Sequence, residues 1–547
     1  MSCASVIFYY FHDQFWWPVD EGVYAYVAQR ANAGAVIHRD IIDLHSGYGN
    51  LLNSTAFRWF GEDLLSLRYP LVALALFQCV ATIFLLPSKN PLLTFVAIVT
   101  VASFSFVQFL NPSSNWHALG AFFALCLILE KMNPGSSLRL LLAGFIVGLC
   151  FFIRQLSGVF LGIGLICFLV WEAPQNSKNP RLPALLIGAF LISALSAYLF
   201  SKQQAFGLVW SGLWSVGLLA LINLRARISW IYTIRMASLT FAGFVLAGLP
   251  LCLTAIYNGS LAFWLSDIFF TALTINNQEF IANASYLHIV ILALQNIFNG
   301  AGVVAIFSSL NWIALLLTVP AVGYVVCMAV ARSETVAPTP ILSVFWVTGA
   351  LHYQIPIYLF FVVPAALLAL LILRPNLIVS SLLVILSIWG LTLQAGQPLD
   401  RGIKGAVSGE IGVANEPANL PRVSLRIQPD DAAIFREIVA AIETSARPDE
   451  KLMTIPMEPE LNFILNRASP VRYYGTPLGL REVSDVSNSL EALDAAAPLL
   501  VVHRRNDKYL TPLSAVLLEA IKERSDRPVQ IGPFDLYRYR VLPNGQR

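Results

Sequence analysis

The chain has 547 residues, 57% of them hydrophobic and only 12% charged, whereas a soluble domain carries about a quarter charged residues. Of its 67 Asp, Glu, Lys and Arg residues only 28 lie in the first 396, so a membrane part is followed by a soluble tail. A net charge of +3 with no basic run excludes a nucleic-acid partner, and seven cysteines, all in apolar stretches, leave no disulfide framework or zinc-finger spacing.

A spanning helix needs roughly 20 apolar residues. In chain order the candidate spans are 4 to 17, 64 to 86, 91 to 110, 117 to 130, 139 to 153, 158 to 172, 183 to 200, 206 to 224, 237 to 256, 303 to 331, 341 to 352, 356 to 373 and 376 to 395. The first lacks a basic leader and a small-residue cleavage site, so it reads as a retained short span rather than a signal peptide. The 303 to 331 stretch is long enough to hide a break. With the N-terminus inside, ten basic residues fall in inner loops, against Arg154 and Lys202 in the short outer turns after the third span. Thirteen spans then place the tail, 397–547, outside the cytoplasm, and leave two long outer loops, 18–63 and 257–302.

Within the first outer loop, Trp16 and Trp17 are expected in the interfacial belt, and GVYAYVAQRANAG is expected as a helix lying flat on the membrane. The tail reads as α/β. Residues 430–446 have helical period with Asp430 as N-cap, Leu452 to Ile455 and Pro498 to His503 read as strands, Thr511 to Arg524 as an amphipathic helix, and Phe534 to Val541 as an alternating strand.

Twelve acids occur in the first 396 residues, and seven of them, Asp13, Asp20, Glu21, Asp40, Asp43, Glu62 and Asp63, fall within the first 63. Asp20 and Glu21 follow the first span directly. One reading is that Asp20 caps the next helix and Glu21 complements its dipole. The other is that a carboxylate at the membrane surface acts as general base towards a lipid-borne substrate. The two are compatible, because a cap fixes a carboxylate's orientation.

The order of Asp20-Glu21, Tyr24, Gly34, His38-Arg39-Asp40, then Asp43-Leu44-His45-Ser46-Gly47-Tyr48-Gly49, Phe60-Gly61 and Ser66-Leu67-Arg68 resembles the start of GT-C glycosyltransferases of the protein-mannosyltransferase and aminoarabinose-transferase type, glycosyltransferase family 39. In the tail, Ile455-Pro456, Glu460-Leu461-Asn462-Phe463 and Pro470-Val471-Arg472-Tyr473 resemble the outer soluble domain of bacterial members. The resemblance implies a polytopic helical membrane protein of GT-C fold: 1–396 the catalytic membrane domain, 397–547 an extracytoplasmic α/β domain, in a bacterial inner membrane. It implies transfer of a sugar, with inversion, from a polyprenyl-phosphate carrier to a lipid, glycan or protein acceptor. The breaking bond needs a base for the acceptor hydroxyl and cations for the departing phosphate.

On that resemblance Asp20 is the base and Glu21 its support. Arg154 leads for the phosphate, Arg68 and Lys202 are alternatives, and Tyr353 is a further lipid-phosphate contact. His45 stands where relatives carry His-Pro-Pro or Lys-Pro-Pro, here with Ser46 and Gly47 in place of the prolines. His45, with Asp40, Asp43, Glu279 or His288, forms the candidate set for substrate or a divalent metal, without a spacing motif for one. Asn115 and His117 are either sugar contacts or loop filler. Two rival classes stay open: a transporter or lipid-handling protein, which would place charges within its spans, and a non-catalytic envelope assembly protein.

Overall fold

The computed structural model describes residues 1–88, 90–176, 178–201, 205–271, 285–393, 407 and 415–540. Among them, eight helices are long and apolar enough to cross a membrane: Leu64–Leu85, Pro91–Gln108, Gln155–Glu172, Leu182–Ser201, Ala205–Arg225, Trp230–Tyr257, Val303–Ala331 and Pro356–Leu373. Further helices lie at the other expected spans, including Ser114–Lys131 and Ser137–Ile153. The first, α1 (Ser2–Phe11), rises only about 15 Å, half a hydrocarbon core. Val303–Ala331, long enough to hide a break, runs as one helix through Pro320.

Helices turn up inside both long loops, 18–63 and 257–302. The first loop folds into α2 (Pro18–Asn32) and α3 (Tyr48–Phe60), and the second begins with Leu261–Ser266 and ends with an apolar helix, Tyr286–Phe298.

The tail carries a four-stranded sheet of β3 (Leu452–Ile455), β4 (Leu499–Arg504), β5 (Val529–Ile531) and β6 (Phe534–Tyr539), in the order β3-β4-β6-β5; β1 (Glu416–Pro417) and β2 (Arg426–Ile427) pair separately. β4 lies parallel to β3 and antiparallel to β6, with Val501 opposite Met453 and Tyr537. Its Leu499 to Val502 are all buried, which explains a continuous apolar run in place of alternation. The expected helix at 430–446 runs Pro429–Ser445 with Gln428 at the N-cap and Pro429 at N1, so Asp430 sits in the first turn instead of capping. A further helix, Val483–Ala496, starts in a capping box between Glu482 and Asp485.

α2 buries its apolar residues in protein instead of offering them to a membrane surface. Val23, Ala25, Tyr26, Val27 and Ala28 belong to one continuous core with Ile438, Phe463, Leu500 and Val501 of the tail. Tyr26 and Gln29 bond to tail backbone: the Ser469 N–H donates to the Tyr26 hydroxyl at 2.7 Å, and Gln29 Nε2 donates to the Phe463 carbonyl at 3.4 Å. Trp16 is buried edge-on against Phe435, centroids 4.7 Å apart, rather than in an interfacial belt. The amphipathic surface element is α3, which buries Asn50, Asn53 and Phe57 and exposes Leu51, Trp59 and Phe60.

A core shared between α2 and the tail has a consequence for truncation. Deleting 397–547 strips the cover from Val23, Tyr26 and Phe57, so trypsin is expected to cut the detergent-solubilised remainder around Arg30 and Arg58 far faster than the full chain. Equal resistance of the two would contradict the shared core.

Candidate active site

The site begins with how α2 starts. Pro18 supplies a preset φ at N1, and Trp17 is the N-cap, its N–H donating to Glu21 Oε2 at 2.9 Å. Glu21 also accepts a forked pair from Arg68, Nε to Oε1 at 2.9 Å and Nη2 to Oε2 at 3.1 Å. Arg68 spends its remaining donors on the carbonyls of His12, Gln14 and Phe15. Both side chains are fully buried. Burial pushes the Glu21 carboxyl up, and the Arg68 guanidinium pulls against it.

Three expectations change here. Asp20 is not the cap. Glu21 turns away from the cavity described below, and Arg68 is locked into a structural ion pair instead of facing a phosphate. Removing one partner of a buried pair costs about 3–5 kcal/mol. Arg68→Met is therefore expected to lower the unfolding temperature in detergent sharply, and an unchanged melting curve would contradict the pairing.

Asp20, Val23 and Tyr24 point from the other side of α2 into a cavity of about 610 Å³. The buried Asn111 donates Nδ2 to Asp20 Oδ2 at 3.3 Å, while its own Oδ1 is held by the Ser113 N–H at 3.0 Å, which fixes the amide's orientation. Burial pushes the Asp20 carboxyl up to about 6, against the opposing charge of Lys508. Across the cavity, Arg154 links the helices Ser137–Ile153 and Gln155–Glu172 and donates to the Tyr358 hydroxyl at 3.0 Å, its guanidinium stacked 5.3 Å from that ring's centroid. Among the described lining residues Asp20 is the only carboxylate and Arg154 the only permanent cation.

Two helices, Ser114–Lys131 and Gln155–Glu172, begin at this wall, with Asn115, Gln155 and Leu156 among its residues. Their positive dipole ends add to the charge of Arg154. Tyr353 and His352 complete that side. The tail contributes Met457, Tyr474, Leu478 and Tyr509, and the second long loop contributes Ile268 and Phe269. Val159 and Phe269 line the cavity and are also exposed at the surface, so the cavity opens between them.

Of the candidate substrate or metal residues, His45 lines the cavity, its Nδ1 3.2 Å from Asp43 Oδ1. Asp43 is buried and also holds the Asn50 amide. Asp40 is tied to Arg39 at the surface, and His288 is exposed on its helix, away from the lining. Glu279 and Lys202 lie outside the described residues. Among the described residues, no three His, Cys, Asp or Glu side chains converge as donors for a divalent metal. His117 is buried behind the wall and does not reach the cavity.

Asp267 is a second, separate hub. It is fully buried and pairs with His38 Nδ1 at 3.1 Å and with Arg472, whose Nε reaches the His38 carbonyl at 2.8 Å. These bonds pin both long loops to the tail beside Ile268. Asn111, Tyr358 and Tyr509 were not singled out from sequence. The Asn-Pro-Ser-Ser run of a helix start was the available sign for Asn111, whereas nothing local marks Tyr509.

No family model matches the chain, and no curated protein matches it by sequence. Among solved structures, ArnT from Cupriavidus metallidurans bound to undecaprenyl phosphate is similar over 98% of this chain and 96% of its own, with a TM-score of 0.50 and 10% identity. An oligosaccharyltransferase from Archaeoglobus fulgidus, in complex with zinc and sulfate, is similar over 99% of this chain and 74% of its own, with a TM-score of 0.41 and 11% identity. The fold and the apolar helices make this chain a polytopic helical membrane protein. The likeness to ArnT is one of fold.

Proposed function

We propose that the chain is an integral-membrane glycosyltransferase that moves a sugar from a polyprenyl-phosphate carrier to an acceptor, with inversion at the anomeric carbon. The observation that carries this reading is a cavity whose described lining holds one carboxylate with a raised pKa and one permanent cation among largely apolar walls. A phosphate fits the Arg154 side, where the guanidinium, the Tyr358 hydroxyl and two helix N-termini converge. A prenyl chain fits the apolar opening between Val159 and Phe269. The undecaprenyl phosphate held by ArnT is a ligand of this chemistry.

In this reading Asp20 takes the proton from the acceptor hydroxyl as that oxygen bonds to the anomeric carbon. The bond from that carbon to the phosphate oxygen breaks, and Arg154 and Tyr358 receive the departing phosphate. Asn111 keeps one Asp20 oxygen oriented. The acceptor approaches on the side walled by Met457, Tyr474 and Tyr509 of the tail. On the positive-inside pattern the tail and cavity face outward, at a bacterial inner membrane, where soluble nucleotide sugars are absent and an activated sugar arrives on lipid.

A base must be ionised to act, so transfer is expected to fall as pH drops through about 6, the Asp20 value. Asp20→Asn removes the base and is expected to slow transfer by about 10²–10⁴-fold, read as accumulation of a sugar-loaded polyprenyl phosphate in membranes of a complemented deletion strain. Full turnover by a normally expressed Asp20→Asn chain would refute the assigned role.

A further inference from the structure

The helix that carries Asp20 has two working faces. With 3.6 residues per turn, Asp20, Val23 and Tyr24 cluster on one side, and Gly22, Tyr26 and Gln29 cluster roughly opposite. The first set lines the cavity. The second rests on the tail: Tyr26 against the Ser469 N–H, Gln29 against the Phe463 carbonyl, and Gly22 against Glu460 at the start of Pro459–Leu465. A Cβ on Gly22 would lie 2.7 Å from Glu460 Cα and closer still to its amide nitrogen. That neighbour is backbone, anchored by a helix whose Leu461 and Phe463 are completely buried, so it cannot swing aside as a side chain could. The remaining freedom is for α2 to move towards the cavity, and Asp20 is the group on its leading face.

We propose that Gly22 is a positioning residue: its bare backbone lets α2 seat directly on the tail, and that seat sets how far the Asp20 carboxylate reaches into the cavity. The tail is then part of the catalytic machinery, as the abutment of the base. The proposal deepens the transferase reading and rests on it for its kinetic consequence, but its geometric content is independent of any substrate.

The test accordingly has two arms. Dicyclohexylcarbodiimide, an apolar reagent for protonated carboxyls, is applied to the full chain in detergent near pH 6, and adducts at Asp20 are counted by mass spectrometry. Gly22→Ala is expected to change the Asp20 labelling rate several-fold. Gly49→Ala, on α3, where a Cβ meets nothing within 4 Å, is expected to leave it unchanged. Tyr26→Phe removes only the hydroxyl that accepts from Ser469 and is expected to change labelling in the same direction by less. In the kinetic arm, Gly22→Ala lowers kcat with KM held, by about 10²-fold for a displacement of an ångström. Wild-type labelling of Asp20 in a folded Gly22→Ala chain, or in Tyr26→Phe should the alanine variant not fold, overturns the seat. Altered labelling without any transferase activity in the wild type overturns the enzymatic reading and leaves the seat standing.

Discussion

Burying an ion pair is expensive unless every donor and lone pair is satisfied, and the Glu21–Arg68 pair meets that demand by gathering the chain around itself. Arg68 needs five acceptors, and it finds two in the Glu21 carboxylate and the rest in the carbonyls between His12 and Phe15. The end of α1, the start of α2 and the entry to the helix at Leu64 are thereby held in one arrangement. The neighbouring residue, about 100° round the helix, is Asp20. Fixing Glu21 inward leaves Asp20 no direction except towards the cavity. Two adjacent acids of the same charge thus take opposite parts: one is consumed by structure, and the other is left in an apolar wall that raises its pKa to about 6.

The cavity is assembled from stretches hundreds of residues apart. Asp20 comes from the first long loop, Arg154 from a helix junction, Tyr358 from the start of the helix Pro356–Leu373 and Tyr509 from the tail. No one of these is a site by itself. What joins them is the shared core of α2 and the tail, together with the buried Asp267, which ties both long loops to Arg472. Low polarity around Asp20 and two helix N-termini around Arg154 separate a carboxylate side from a positively charged side, the division that the proposed transfer from a phosphate carrier requires.

Much of the architecture is readable because hydrophobic runs and charge scarcity announce spans, and because β4 and β6 carry strong strand patterns. The placement of α2 is not readable. Its Tyr24, Val27, Ala28 and Ala31 stripe is as compatible with a bilayer as with a protein core, and only the distant Phe463 and Ser469 decide between them. The acidic cluster is equally ambiguous one residue at a time. Asp20 and Glu21 are adjacent and identical in charge, and what tells them apart is Arg68, 47 positions away from Glu21. Arg154 stands out in sequence because a cation in an outer turn breaks the charge rule, and the structure brings it, Tyr353 and His45 to the same cavity as Asp20. Arg68 has the same charge but lies within a buried backbone cage that no local pattern reveals.

The central claim is that this cavity holds a lipid phosphate against Arg154 with Asp20 facing it. Electron cryomicroscopy of the full chain in nanodiscs containing undecaprenyl phosphate examines that most directly. The account predicts phosphate density within hydrogen-bond distance of Arg154 and the Tyr358 hydroxyl, with the prenyl chain leaving between Val159 and Phe269. A phosphate seated elsewhere on the protein, with this cavity filled only by solvent, would contradict it.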